Sequence, residues 1–284
     1  MIILKAGQIE SIFLALFRWF KKFLVHAYMD YVAPNLTDGL GNRLFKFACA
    51  KQYAEKYNKK LVFFLPRCGK TDHGAFDNIF HLFPEVPILE TAQGWSEINE
   101  LTNFVHTEIQ NHQGILIING YRQSWKYFYD TLIEPNFMNC IGKERLDYLD
   151  KTYLTGDDFF IHVRLGDFRT LPHHQINIVK YYVTALQQIP DANIIVFSDE
   201  PELVKGLFTI PHTIVNEKHE VECLYLMSKC LRGAVVGNST FSYWGAYLAH
   251  QKSKDHVAYY PNKMGQGLPE LVDYIPPWGI VIEA

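Results

Sequence analysis

The stretch Ile161-His162-Val163-Arg164-Leu165-Gly166-Asp167-Phe168 places a fixed positive charge directly after an apolar run. The segment Asp158-Phe159-Phe160-Ile161-His162-Val163 has the length and the β-branched and aromatic content of a core strand, and Gly166 supplies the turn that ends it. Arg164 therefore falls at the carboxyl end of a strand, where open α/β sheets bind ligands. A guanidinium stays protonated and can fork two donors onto a phosphate, so it suits a site where a diphosphate is held and then leaves. Asp167 is placed to orient it, and a purely structural Arg–Asp pair at a strand end is the competing reading.

Two further segments have the same strand-to-helix character. Asp38-Gly39-Leu40-Gly41-Asn42-Arg43-Leu44-Phe45-Lys46-Phe47-Ala48 follows the apolar run Tyr31-Val32-Ala33 and opens a helical pattern through Phe45, Ala48, Cys49 and Tyr53. A dinucleotide fingerprint fails there, because its last glycine would fall on Leu44. What remains is a glycine turn feeding a helix N-terminus, with free amides and a dipole suited to an anion. Val235-Val236-Gly237-Asn238-Ser239-Thr240-Phe241-Ser242 crowds hydroxyl and amide groups at another strand end. An ordinary helix cap is the alternative there. Arg67-Cys68-Gly69-Lys70-Thr71 mimics the tail of a phosphate loop, but the required upstream glycine is Phe64.

Together the segments resemble the α-1,2-fucosyltransferases of glycosyltransferase family 11. That family has a GGLGNQxFQ-like opening, an HxRRGDY-like centre, an FSDD-like strand end and an NSTFSWWGAWL-like closing motif. This chain has DGLGNRLFK at 38–46, HVRLGDF at 162–168, FSDE at 197–200 and NSTFSYWGAYL at 238–248, in the same order. The segments Gly120 to Phe128 and Leu226 to Cys230 are also similar, so the resemblance spans roughly Tyr31 to Tyr260. The chain departs from the pattern at Leu165, where the family has a second Arg, at Arg43 for Gln, at Asp38 for Gly, and at Glu200 for the second Asp. Either Arg43 or Arg122 is a candidate to replace the missing cation.

The resemblance implies an α/β protein of GT-B type, with two facing Rossmann-like domains of parallel sheets. It also implies an inverting, metal-independent transfer of fucose from GDP-fucose to a glycan hydroxyl. Arg164 and Asp167 are the expected catalytic residues. The expected donor-binding set is Gly39, Gly41, Asn42, Arg43, His162, Asp199, Asn238, Ser239, Thr240 and Phe241. Asp199 would contact base or ribose, while His162 lies on the strand and fits packing better than base chemistry. The general base stays open between carboxylates such as Asp38 and Asp167. Partners are a nucleotide sugar and a glycan acceptor, with no cofactor and no metal. A donor other than GDP-fucose, or a glycan-binding protein weakened in catalysis through Leu165, are the rival readings.

Composition agrees with an enzyme of this kind. At 284 residues and 48% hydrophobic content the chain has ample material for cores, and disorder is excluded as its overall state. A net charge of −3, with Lys and Arg scattered, argues against nucleic-acid binding. The five cysteines (Cys49, Cys68, Cys140, Cys223 and Cys230) are odd in number and lack Cys-x-x-Cys spacing, which supports neither zinc nor a full disulfide framework. The adjacent His173 and His174 read as a loop. Asn35-Leu36-Thr37 and Asn238-Ser239-Thr240 are formal glycosylation sequons, the second within the expected site.

Strand patterns at 61–65, 115–118, 159–164, 194–198, 234–237 and 257–260 alternate with helical ones at 42–57, 124–130, 179–188 and 220–229, which predicts parallel sheets. Expected divisions are an N-terminal amphipathic helix over 1–30, an acceptor-side α/β domain over 31–150 and a donor-side α/β domain over 151–284, parted at the polar segment 142–157. In the first of these, Ile9, Ile12, Phe13, Leu16, Phe20, Phe23 and Leu24 recur at helical spacing, interrupted by Glu10, Arg18, Lys21 and Lys22. It is too short and polar to cross a bilayer. A helix docked on the catalytic domain, an interfacial membrane helix touching lipid through residues 9–25, and a poor signal anchor compete. A cytoplasmic or membrane-associated location is favoured over secretion.

Overall fold

The computed structural model describes residues 30–69, 75–91 and 94–284. The amphipathic pattern before Asp30, with its membrane contact through 9–25, lies outside the described residues. Among those described, no helix is long and apolar enough to cross a membrane.

The first half runs β1 (Tyr31–Pro34), α1 (Leu40–Tyr57), β2 (Lys60–Leu61), β3 (Phe63–Phe64), α2 (Asn78–Leu82), β4 (Ile88–Leu89), β5 (Trp95–Ile98) and β6 (Ile115–Ile118). Its main sheet has the order β2-β1-β6-β5, and β3 pairs separately with β4, all in parallel. The strand expected over 61–65 is thus split at Val62: its first part pairs with β1, its second turns to β4. The helix expected over 124–130 is a single 3-10 turn, Trp125–Tyr127, capped by the Ser124 side chain. Between the halves lie α3 (Phe137–Ile141) and α4 (Lys143–Tyr153), so the polar segment read as a divider is largely helical.

The second half runs β7 (Asp158–Val163), α5 (Ile178–Leu186), β8 (Asn193–Ser198), α6 (Pro201–Val204), β9 (Thr213–Ile214), α7 (Glu220–Met227), β10 (Gly233–Val235), α8 (Thr240–Lys252), β11 (Val257–Pro261) and β12 (Gly279–Ile282). Its sheet order is β12-β11-β10-β7-β8-β9, parallel throughout. Alternate residues of β7 serve opposite faces: Phe159, Ile161 and Val163 pack with Tyr181 and Ala185 of α5, while Phe160 joins the core shared with α7 and α8. This period of two is why an apolar run six residues long can be buried on both sides.

One core joins the halves. Phe45 of α1 lies 4.6 Å from Tyr243 and 5.2 Å from Trp244 of α8, and Phe128 lies 5.2 Å from the same Trp244. Leu116 of the first sheet and Ala234 of the second belong to the same buried cluster. Such aromatic pairs contribute about 0.5–1.5 kcal/mol each beyond their buried area. The α1–α8 contact is thus a continuous apolar core, and parting it would expose these rings.

Candidate functional site

In each sheet the chain reverses direction of growth at one point. In the second sheet β7, β8 and β9 step one way and β10, β11 and β12 the other, so the crevice lies between the carboxyl ends of β7 and β10. In the first it lies between β1 and β6. The two crevices meet through α1 and α8, whose first turns touch: a Cβ on Gly41 would stand 2.5 Å from the Phe241 backbone nitrogen.

Arg164 leaves the end of β7 with its side chain 24% exposed. Its Nη2 donates to Asp167 Oδ1 at 2.5 Å, and its Nη1 lies 3.0 Å from Asp199 Oδ2. The register Val163↔Ser198 explains the second contact, since it brings the residues after β7 beside those after β8. Asp199 Oδ1 also accepts the Leu165 amide at 2.8 Å. A Cβ on Gly166 would come within 2.4 Å of Asp199 Oδ2, so the turn must be glycine for the carboxylate to reach the guanidinium. The Asp167 hydrogen bond and the Asp199 ion pair together fix the plane of the guanidinium at the edge of the sheet.

Beside Arg164 is a cleft of about 230 Å³, bounded by Phe168, Arg169, His174, Gln175 and Asn238, with Ile176 and Ile178 as its apolar wall. Phe168 stacks on His174 at 4.1 Å with nearly parallel rings, and the Arg164 guanidinium lies 5.1 Å from the Phe168 centroid. The next wall is the start of α8. Ser239 caps it by accepting the Phe241 amide at 3.3 Å, and Ser239, Thr240 and Phe241 are all partly exposed. Amides in the first turn of a helix lack intrahelical partners and carry partial positive charge, which suits a phosphate.

Of the expected site residues, Arg164, Asp167 and Asp199 come together at this edge, and Ser239, Thr240 and Phe241 begin the helix that follows Asn238 of the cleft wall. Gly39 is the N-cap of α1, and Gly41 makes the contact with α8. Others need correction. His162 is buried, its Nδ1 without a partner, 3.0 Å from where a Cβ on Gly237 would lie; it packs beneath the site and offers nothing to a donor. Arg43 is fully buried, donating to the Ala75 carbonyl at 3.1 Å with Glu220 nearby, because residue 43 faces away from α8. Arg122 is spent on its own half, on the Asn119 and Ile98 carbonyls. Neither replaces the family's second cation, and Leu165 itself packs into the core with Val163 and Tyr181.

Asn42 accepts from Gln123 Nε2 at 2.8 Å. Asn238 donates to the carbonyls of His174 at 2.7 Å and Met264 at 3.0 Å, so its amide ties two loops to the cleft wall. Asp199, expected at base or ribose, is a clamp on Arg164. Sequence reasoning missed the Phe168–His174 stack, since the aromatic lies in the motif but its partner sits in a segment read only as a loop. Among the described residues, no group of three or more His, Cys, Asp or Glu side chains is placed to hold a metal ion.

Burial, with the Arg164 charge, pushes the His162 ring down to about 3, and burial with neighbouring His250 does the same for His256. Both rings are neutral in the fold, whereas in an unfolded chain they titrate near ~6.5. The unfolded state then takes up protons first, so stability present above about pH 6.5 is lost as pH falls toward the folded values. Thermal melting should show Tm dropping steadily from about pH 7 to about pH 5, ahead of most carboxylate titration. A Tm constant over that interval would contradict the neutral burial of these rings.

Comparison with known proteins places this geometry. The family model described as Glycosyl transferase family 11 matches residues 98–263. An Escherichia coli protein named O-antigen biosynthesis glycosyltransferase WbnK is 34% identical, over 82% of this chain and 94% of the relative. An Escherichia coli α-1,2-colitosyltransferase is 26% identical, over 78% of this chain and 88% of that protein. Among solved structures, the selenomethionine form of the fucosyltransferase NodZ from Bradyrhizobium superposes with a TM-score of 0.50 at 17% identity, covering 78% of this chain and 92% of that one. The shared fold is the GT-B arrangement of two Rossmann-like halves.

Proposed function

Since the chain belongs to glycosyltransferase family 11, we propose that it is an inverting enzyme that moves fucose from GDP-fucose to a glycan hydroxyl in α-1,2 linkage. The observation that carries this reading is Arg164, fixed between Asp167 and Asp199 at a sheet's switch point beside the first turn of α8. As the nucleoside diphosphate departs, negative charge grows on the phosphate and positive charge on the sugar ring. Donors already aimed at the phosphate need no reorganisation at that moment, which is where they lower the barrier most. Arg164 meets the growing charge, and the first turn of α8 supports it. Asp167 and Asp199 hold the guanidinium in place.

The test is a panel of GDP-sugars and other nucleotide sugars offered with free glycans to the purified chain, with product linkage read by NMR. Transfer from GDP-fucose to a 2-hydroxyl supports the reading. Preference for another GDP-sugar supports the second reading, transfer of a different deoxyhexose such as colitose, which the similarity to the α-1,2-colitosyltransferase favours. Donor hydrolysis and transfer both absent, with GDP still bound, would point to a glycan-binding protein.

The proposed mechanism uses fixed cationic and amide donors in place of a divalent ion. Turnover in excess EDTA is therefore expected to stay within about twofold of the untreated enzyme, since Mg²⁺ at such sites needs carboxylates beside the substrate phosphates and those here, Asp167 and Asp199, are both paired with Arg164. Activity lost in chelator and restored by a divalent metal would overturn the metal-free mechanism.

A further inference from the structure

The segment 38–46 differs from the family pattern at both of its ends, Asp38 in the turn before α1 and Lys46 within α1, and these two residues pair with each other. Lys46 Nζ lies 2.8 Å from Asp38 Oδ2 and 2.7 Å from Thr37 Oγ1, with the Lys46 side chain only 3% exposed and that of Asp38 36% exposed. Asp38 has φ = 70°, the left-handed region that glycine adopts freely and a side chain occupies at a cost. A carboxylate is thus held in a strained conformation at the mouth of the first sheet's crevice, where β1 ends beside β6. Tyr121, after β6, places its ring 5.4 Å from the Lys46 ammonium and closes the other side.

Asp38 precedes by three residues the Gly41 that abuts Thr240 and Phe241, the residues of α8 that follow the cleft-lining Asn238. Asp167 and Asp199 hold Arg164, and Glu100 accepts the Tyr121 and Arg122 amides with Oε2 while its Oε1 is buried without a partner and so is closed to an incoming acceptor. Asp38 Oδ2 is taken by Lys46 and by the Thr37 hydroxyl at 2.9 Å; among the described residues Oδ1 has no partner. Burial alone would raise the Asp38 carboxyl, but Lys46 and Thr37, with Arg43 behind them, hold it below the usual carboxylate range.

We propose that Asp38 is the catalytic base of this site, taking the proton of the acceptor hydroxyl on Oδ1, with Lys46 as the residue that positions it. This rests on the glycosyl-transfer reading above. The acceptor O–H bond breaks and its proton passes to Asp38, while the acceptor oxygen bonds to C1 of the sugar. The bond from C1 to the phosphate oxygen breaks, and its electron pair leaves on the nucleoside diphosphate, whose charge Arg164 meets. Lys46 keeps the carboxylate ionised and turned so that one oxygen faces the acceptor.

Asp38→Asn keeps the size and tolerates the positive φ, so the fold is retained. Its transfer rate is expected to fall about 10²–10⁴-fold, with GDP affinity by calorimetry within about threefold of wild type. Asp38→Gly, which also relieves the backbone, should be rescued by azide, a nucleophile that sheds no proton, with glycosyl azide as product. Transfer by Asp38→Asn within threefold of wild type would overturn the proposal, as would an Asp38→Gly variant that binds GDP normally yet forms no glycosyl azide. No transfer by the wild-type chain from any nucleotide sugar would instead count against the glycosyl-transfer reading itself.

Discussion

Arg164→Ala is expected to lower transfer by about 10²–10³-fold, the loss of about 2.7–4 kcal/mol that follows removal of one preorganised donor to a developing negative charge. The side chain projects from a strand end and is not part of either core, so the fold should survive. Removal also leaves Asp167 and Asp199 facing each other without their shared cation, which weakens GDP binding further, because the phosphate now approaches two carboxylates. Lysine at this position restores the charge but not the planar fork that spans both carboxylates, so Arg164→Lys should recover activity only in part. The measurement is steady-state transfer beside GDP affinity by calorimetry. An alanine variant with near-normal turnover and GDP affinity would remove Arg164 from the mechanism.

Much of this site is legible in sequence because it is local. The apolar run 158–163, the glycine at 166 and the strand-to-helix segment at 235–242 each encode their own conformation, and Arg164 falls at a strand end by simple counting. The rest depends on contacts between distant segments. Whether Arg43 faces a cleft or a core is decided by which side of α1 meets α8, and a helix pattern apolar on most sides does not say. The Asp199 clamp follows from the β7–β8 register, set by pairing across more than thirty residues. Asn238 is a donor-site residue by motif and a loop tie by structure, because its partners lie at His174 and Met264. The missing second Arg is the hardest case. Leu165 is an apolar core residue here, and neither Arg43 nor Arg122 has moved in to replace it.

The second large effect is expected at Gly41. By helix propensity alone, Gly41→Ala should stabilise α1 by about 1 kcal/mol. The added Cβ, however, would lie 2.5 Å from the Phe241 nitrogen, 2.6 Å from the Thr240 carbonyl carbon and 2.7 Å from Thr240 Oγ1. Two of those atoms are backbone and cannot rotate away, so the helices must separate by about 1 Å to restore ordinary contact. Overpacking of this kind costs about 1–3 kcal/mol, enough to exceed the propensity gain and lower Tm. The same separation moves the first turn of α8, with Ser239 and Thr240, relative to Asp38 and the crevice of the first sheet. A misplacement of about 1 Å at reacting groups can lower turnover roughly 10²-fold, so transfer should fall by about that factor even where the protein remains folded. Pairing the change with Thr240→Ala separates the causes. If the backbone contact is responsible, trimming the threonine restores little, whereas full recovery of Tm and turnover would mean that only the Thr240 side chain had stood in the way.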